Sequence, residues 1–379
     1  MSAKTQKQSG GGRKTAAKPR ILYFDILRAL APVLVVIIHA ALRYEAGTAD
    51  FWGTRFRNAY MLRILCQVCI PAFVMISGAL FLSAKRKFDM MTHFRKYVLR
   101  IAIIYLFWSV LYATLGLIFP KEGASQEATI RRFFAQLCGG HYYHLWFLLM
   151  LGVAYLLVPC LRKITESRAL TELFLMLGIV FCFALPSLGQ TFDLIREQNA
   201  NMGPVVTGAL SGMSDLFAYL SGKVGLKFII YFVLGHYLAS YDIKKKWRYF
   251  LYALGILGAI AAFYMGLWRL RLFGTVGEGA DLQNINIGIL AYGAAVFVFA
   301  KYAFGRVKKL PRLIVFMAKH SLGVYLVHEA LVDFILYRII KEGSQPLWIL
   351  LPCSILIYAT SLVISWALSK LPLLKKVVQ

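Results

Sequence analysis

Three ionisable residues stand in one apolar run, F-D-I-L-R-A-L-A-P-V-L-V-V-I-I-H, which holds Asp25, Arg28 and His39. An imidazole takes up and returns a proton near neutral pH, and a guanidinium grips phosphate or carboxylate through paired donors. On a helix the 11 residues from Arg28 to His39 make about three full turns and rise about 16 Å, so the two side chains share a face. Asp25 precedes Arg28 by three residues, the spacing of a local ion pair. Pro32 lies between them and frees a backbone carbonyl, so a kink or local opening is expected there. The bland alternatives are a hydrogen-bonded packing histidine and a snorkelling arginine, but ionisable groups at bilayer depth by default mark a pathway or a site.

Two more stretches carry such groups. C-G-G-H-Y-Y-H-L-W-F-L-L contains His141, His144 and Trp146, with Tyr142 and Tyr143 between, and the aromatics also suit an interfacial belt. H-S-L-G-V-Y-L-V-H-E-A-L-V-D-F contains His328 and Glu329, with Asp333 one turn on. Hydrogen-bonded helix pairing is the structural alternative for these acids.

The elements that must position these residues are membrane helices. The chain has 379 residues, of which 59% are hydrophobic and 16% charged, which describes an integral membrane protein. Crossing the hydrocarbon takes about 20 apolar residues. Ten runs qualify or nearly do: 22–42, 59–83, 98–119, 144–161, 169–187, 225–241, 247–267, 285–304, 313–340 and 347–369. With the N-terminus inside, 28 of the 43 Lys and Arg fall in inner segments and 11 in outer loops, and every alternation favours the same side. The expectation is an all-α membrane protein of about ten transmembrane helices with both termini cytoplasmic. Residues 1–20 read as a disordered basic tail that lies on anionic lipid, 21–370 as the membrane domain and 371–379 as a short basic cytoplasmic end. The first apolar run is too long for a secretory h-region and is read as a retained helix.

A net charge of +26 invites a nucleic-acid reading. The basic residues nonetheless sit in short clusters between apolar runs and form no continuous face, so nucleic acid is excluded as a partner. Six cysteines give no disulfide framework, and Cys66 and Cys69 read as packing residues within a helix. There is no H-E-x-x-H, no close histidine and carboxylate triad in the sequence, no G-x-S-x-G, no G-x-x-x-x-G-K and no G-x-G-x-x-G after a strand. No metal and no tightly bound cofactor is expected.

The run from Arg28 to His39 resembles the acyltransferase 3 family of membrane acyltransferases, whose first helix carries a basic residue, ten others and a histidine. Further similar stretches follow in family order: P-A-F-V-M-I-S-G-A-L-F-L (71–82), R-I-A-I-I-Y-L-F-W-S (100–109), H-L-W-F-L-L (144–149), Y-F-V-L-G-H-Y-L (231–238) and S-L-G-V-Y-L-V-H (321–328). The resemblance covers roughly residues 20–370. One departure is an R-x-x-R pattern before the third helix, where this chain has Tyr97 three residues before Arg100; Arg95 or Lys96 is the candidate substitute for that charge. In layout the chain is similar to the enterobacterial common antigen O-acetyltransferase and exopolysaccharide acyltransferases, which consist of the membrane domain alone, and no appended esterase-like domain is expected.

The resemblance implies transfer of an acetyl group from cytoplasmic acetyl-CoA to a hydroxyl of a cell-surface or lipid-linked glycan, in the plasma (inner) membrane. His39 is then the candidate general base, with an acetyl-histidine relay as the competing version. Arg28, Lys96 and Arg100 would bind CoA phosphates or orient the donor, with Asp25 holding Arg28. His144 would meet the acceptor or assist proton relay, and Ser77 and the Gly78 backbone would line the cavity. Trp146, His328 and Glu329 complete the candidate binding residues. A secondary transporter or flippase for a glycan or lipid-linked sugar would also need a many-helix bundle with interior charges, and would show internal symmetry between halves. A structural or sensory membrane protein would leave Arg28 and His39 replaceable.

Overall fold

A computed structural model of the chain describes residues 20–46, 53–119, 125–127, 129–130, 133, 144–199, 203–220, 224–273, 286–336 and 346–379. Among them every regular element is helical. His141, Tyr142, Tyr143, Cys138 and the tail before residue 20 lie outside the described residues.

The first ionisable run forms α1 (Leu22–Ala46), a helix continuous through Pro32. The expected opening is confined to one missing bond, since a proline at this position removes only the amide that would reach the Arg28 carbonyl. α2 (Thr54–Cys66) and α3 (Cys69–Phe81) return as one apolar span, and α4 (Met90–Ile118) follows. Asp89 caps α4 by accepting from the Thr92 amide at 2.7 Å. The Thr92 hydroxyl and amide together hold the Asp89 carboxyl below its ordinary value. α5 (Trp146–Leu156) and α6 (Val158–Thr165) meet at a 57° bend, with Pro159 opening the second helix. Then come α7 (Arg168–Gln198), α8 (Pro204–Leu220), α9 (Val224–Ser240), α10 (Lys245–Phe273), α11 (Ile287–Phe304), α12 (Arg312–Leu331), α13 (Leu350–Leu368) and α14 (Pro372–Val378).

The described residues of the ten apolar runs are mostly helical. Among the described residues seven helices are long and apolar enough to cross a membrane: α1, α2 with α3, α4, α7, α10, α11 and Leu347–Leu368. The count of ten adds the bent α5–α6 pair, the shorter α9 and the polar α12. This is a multi-pass membrane protein.

One expectation is corrected. The segment 188–224 falls between the fifth and sixth apolar runs and so counted as an outer loop, but its described residues are largely helical: α7 continues to Gln198 and packs against α8. Leu188, Phe192 and Ile195 recur at helical spacing, but the polar residues between them kept the segment below the threshold for a span. The terminal stretch packs against the bundle. Val377 and Val378 of α14 are buried, and the Trp108 indole of α4 donates to the Val377 carbonyl at 3.1 Å.

Without a hydrophobic driving force between helices in lipid, small residues set the closest approaches. Gly78 of α3 and Gly235 of α9 lie against each other's helix: a Cβ at Gly78 would come 1.7 Å from the Phe232 oxygen, and one at Gly235 2.1 Å from the Met75 oxygen. Gly78 is therefore committed to packing rather than to a cavity wall. Gly235→Leu should push α3 and α9 apart and lower stability by about 1–3 kcal/mol or more. The thermal midpoint of the detergent-purified protein, compared with that of the open-space variant Gly208→Leu, checks this.

Candidate active site

α1 and α12 carry the candidate side chains His39, His328 and Glu329, and they pack through Val36, Ala40, Ala41 and Val324. At the end of that seam His39 Nδ1 lies 3.0 Å from Glu329 Oε2. Glu329 is 3% exposed, whereas the His39 side chain keeps 12%, so the imidazole is the accessible member. One turn farther along both helices Arg43 pairs with Asp333. These two i, i+4 steps set the register of α1 on α12. α12 passes into a π-helical turn, Val332–Leu336, just beyond Glu329, and such turns are frequent at functional sites.

Three imidazoles form a row. His39 and His328 ring centroids are 4.9 Å apart, and His328 and His144 are 5.3 Å apart. His328 is fully buried, and its Nδ1 lies 2.6 Å from the Tyr325 carbonyl. A carbonyl only accepts, so Nδ1 carries the proton and Nε2 the lone pair. His328 Nε2 is 3.8 Å from Glu329 Oε2. His144, also buried, is held through its backbone carbonyl, which accepts from the Tyr325 hydroxyl, and its ring stands edge-on to Tyr112 at 5.1 Å. Tyr112 in turn donates to the Leu326 carbonyl at 2.6 Å.

The triad of His39, His328 and Glu329 corrects the sequence reading that histidine and carboxylate groups do not converge. Their ligand atoms all lie within 4.8 Å of one another. No spacing rule could find it, because the first member is on α1 and the others on α12. Donors of this type suit a zinc-class ion, and the carboxylate and imidazole equally suit proton transfer.

A second polar level lies at the other end of α1. Asp25 is buried, 3.9 Å from Arg28 and 3.4 Å from Arg20. Arg28, Arg86 and Arg100 act electrostatically on the buried Tyr155, whose hydroxyl bonds to Ser77. Arg162 donates to the carbonyls of Phe81, Ser83 and Arg86 and so pins the loop after α3. That loop sets the Arg86 guanidinium 4.3 Å from the Phe81 ring and 4.7 Å from the Tyr97 ring. Arg86 thus joins Lys96 as a cation over Tyr97, at the departure from R-x-x-R. Lys96 is exposed, its ammonium 5.6 Å from the Tyr97 ring. Trp146 lies apart from both levels, its ring against Phe147 and Phe228. Residue spacing did not reveal Arg86, Tyr155, Tyr325 and Arg162. The only signal for Arg86 was the charged K-R-K of the loop, and Tyr325 sat three residues before His328.

One family matches the chain, described as an acyltransferase domain and covering residues 21–370. The chain belongs to this acyltransferase family. No curated protein and no solved structure matches it. The matched stretch takes in both polar levels of the acyltransferase, from Asp25 to Glu329, and stops before α14.

Beyond the His39 level the acyltransferase carries a buried ion pair between α1 and α2, Glu45 with Arg63 at 3.0 Å, and the Arg63 guanidinium also lies 4.7 Å from the Tyr60 ring. Removing one partner of a buried pair leaves an uncompensated charge and costs about 3–5 kcal/mol, whereas replacing both with apolar groups is often neutral. Arg63→Met should therefore destabilise strongly and Glu45→Leu with Arg63→Met should recover most of the loss. A double-mutant cycle on thermal midpoints measures it.

Proposed function

We propose that this acyltransferase moves an acetyl group from cytoplasmic acetyl-CoA to a hydroxyl of a cell-surface or lipid-linked glycan at the outer face of the plasma (inner) membrane. The observation that carries the reading is the 3.0 Å contact between His39 Nδ1 and Glu329 in a chain of this family. Glu329 accepts from Nδ1–H and so presents Nε2 as the basic nitrogen, the same logic by which a buried carboxylate orients the histidine of a hydrolase triad. His39 Nε2 takes the proton of the acceptor hydroxyl as its oxygen attacks the thioester carbonyl. The C–S bond breaks as the new C–O bond forms, and the proton passes from the imidazole to the CoA thiolate.

The donor end is the arginine level. Arg28, Arg86 and Arg100 around Tyr155 offer guanidinium forks for the CoA phosphates, with Asp25 orienting Arg28. From Arg28 to His39 the helix rises about 16 Å, a length an extended pantetheine arm can span. His144 and His328 stand beside His39 and extend the polar strip toward the acceptor. The likeness in layout to the enterobacterial common antigen and exopolysaccharide enzymes points to a glycan rather than a soluble alcohol.

The protein reconstituted in vesicles with acetyl-CoA labelled in the acetyl group should pass label to a glycan acceptor. Glycan transport without label transfer would sink the reading in favour of a flippase. His39→Ala and Glu329→Gln should each lower transfer by about 10²–10⁴-fold, the worth of a positioned proton transfer, with insertion unchanged. Arg28→Ala should raise the KM for acetyl-CoA more than it lowers kcat. An effect on acceptor KM alone would move the donor site elsewhere.

A further inference from the structure

We propose that His39, His328 and Glu329 bind a zinc-class divalent ion, and that the ion shuts off His39 as a base. The inference rests on the acyl-transfer reading for its consequence, though not for the binding itself. Two imidazoles and a carboxylate are the borderline donors that select zinc over calcium or magnesium, which prefer all-oxygen shells. Their ligand atoms already lie within 4.8 Å of one another. Bonds of about 2.0–2.2 Å to a tetrahedral ion put ligand atoms roughly 3.3 Å apart, so side-chain rotation closes the remaining distance.

His328 supplies the independent observation. It is fully buried, and its Nε2 makes no hydrogen bond. A buried polar atom left unpaired costs free energy, so this lone pair calls for an occupant. Its ring is already fixed as a metal ligand's ring is fixed: the distal nitrogen donates to a backbone carbonyl, Tyr325 O at 2.6 Å, which sets the tautomer and aims Nε2 into the cluster. His144 lies 5.3 Å ring to ring from His328, next to the cluster.

Occupancy and catalysis exclude each other through the His39 tautomer. Catalysis needs the proton on Nδ1, facing the Glu329 carboxylate, and the lone pair on Nε2. An ion on Nε2 consumes that lone pair directly. An ion on Nδ1 displaces the hydrogen bond to Glu329 and leaves the ring proton on Nε2, which then cannot accept another.

The test uses full-length protein in detergent, stripped with a chelator and freed of any polyhistidine tag, then dialysed against zinc chloride and assayed for bound metal. Wild type should retain one zinc ion per chain, and should retain none of the magnesium offered in its place. His328→Ala and Glu329→Gln should lose the zinc, while His320→Gln, on the same helix and outside the cluster, should keep it. Where His328→Ala fails to fold by size-exclusion profile, the near-isosteric Glu329→Gln decides. Zinc should also slow acetyl transfer by about 10²-fold, as expected for loss of a positioned base, with recovery on adding chelator. No retained zinc in wild type, or equal retention in the two cluster variants, overturns the proposal. Label transfer without zinc binding sinks the metal site alone, and zinc binding without label transfer sinks the acyl-transfer reading alone.

Discussion

The structure turns on a buried carboxylate at bilayer depth. Glu329 sits almost fully enclosed on α12, where an isolated charge would cost several kcal/mol. It is tolerated because α1 delivers His39 to within 3.0 Å and α12 itself adds His328. That requirement fixes the register of the two helices, and the Arg43–Asp333 pair one turn out repeats it. The small and β-branched residues Val36, Ala40, Ala41 and Val324 let the backbones approach closely enough for the contact to form. Packing and electrostatics therefore constrain the same interface: a larger residue in the seam would separate His39 from Glu329, and Glu329 without that neighbour would be a buried carboxylate with less to offset it.

The two polar levels are built differently. The cations that act on Tyr155 come from three separate places in the chain, and Arg162 spends three hydrogen bonds on the loop that carries Arg86. A partly exposed array of guanidiniums would suit a polyanionic ligand that arrives and leaves in the proposed reaction. Around His39 the groups are few and mostly buried, and Tyr325 and Tyr112 hold the neighbouring backbone through carbonyls. Fixed dipoles in a dry site are worth more than the same groups in water, which is the condition proton transfer needs. α4 ties the levels together along one side: its Trp108 holds α14, and one turn on its Tyr112 meets His144.

What a linear reading recovered depended on whether the partners shared a helix. Asp25, Arg28 and His39 were legible because helical periodicity converts their spacing directly into geometry. The apolar runs were legible because lipid demands contiguous hydrophobic residues. Glu329 could be recognised as costly but not as the partner of His39, since no local rule connects residues that far apart in the chain. Arg86 was hidden for a related reason: it lies in a basic loop whose charge served the topology count, and only the Arg162 clamp brings it to Tyr97. The helices of 188–224 were missed because an amphipathic helix at a membrane boundary has neither the unbroken apolar run of a span nor the punctuation of a loop.

The geometry also bears on the choice between direct transfer and an acetyl-histidine relay. His39 Nδ1 is committed to Glu329, so a single nitrogen remains for chemistry on that ring. A relay asks this nitrogen to be nucleophile first and, once acetylated, to be replaced as base by a neighbour. His328 is poorly suited to that second part, because its lone pair points back toward Glu329 rather than outward, and His144 is held a further ring away. Direct transfer asks only that the thioester and the acceptor hydroxyl meet at His39 Nε2. In the proposed reaction the rise of about 16 Å along α1 would let a donor held at the arginines bring its thioester there. Direct transfer would need no second base, and the 3.0 Å contact of His39 with Glu329 favours that version of the proposal over the relay.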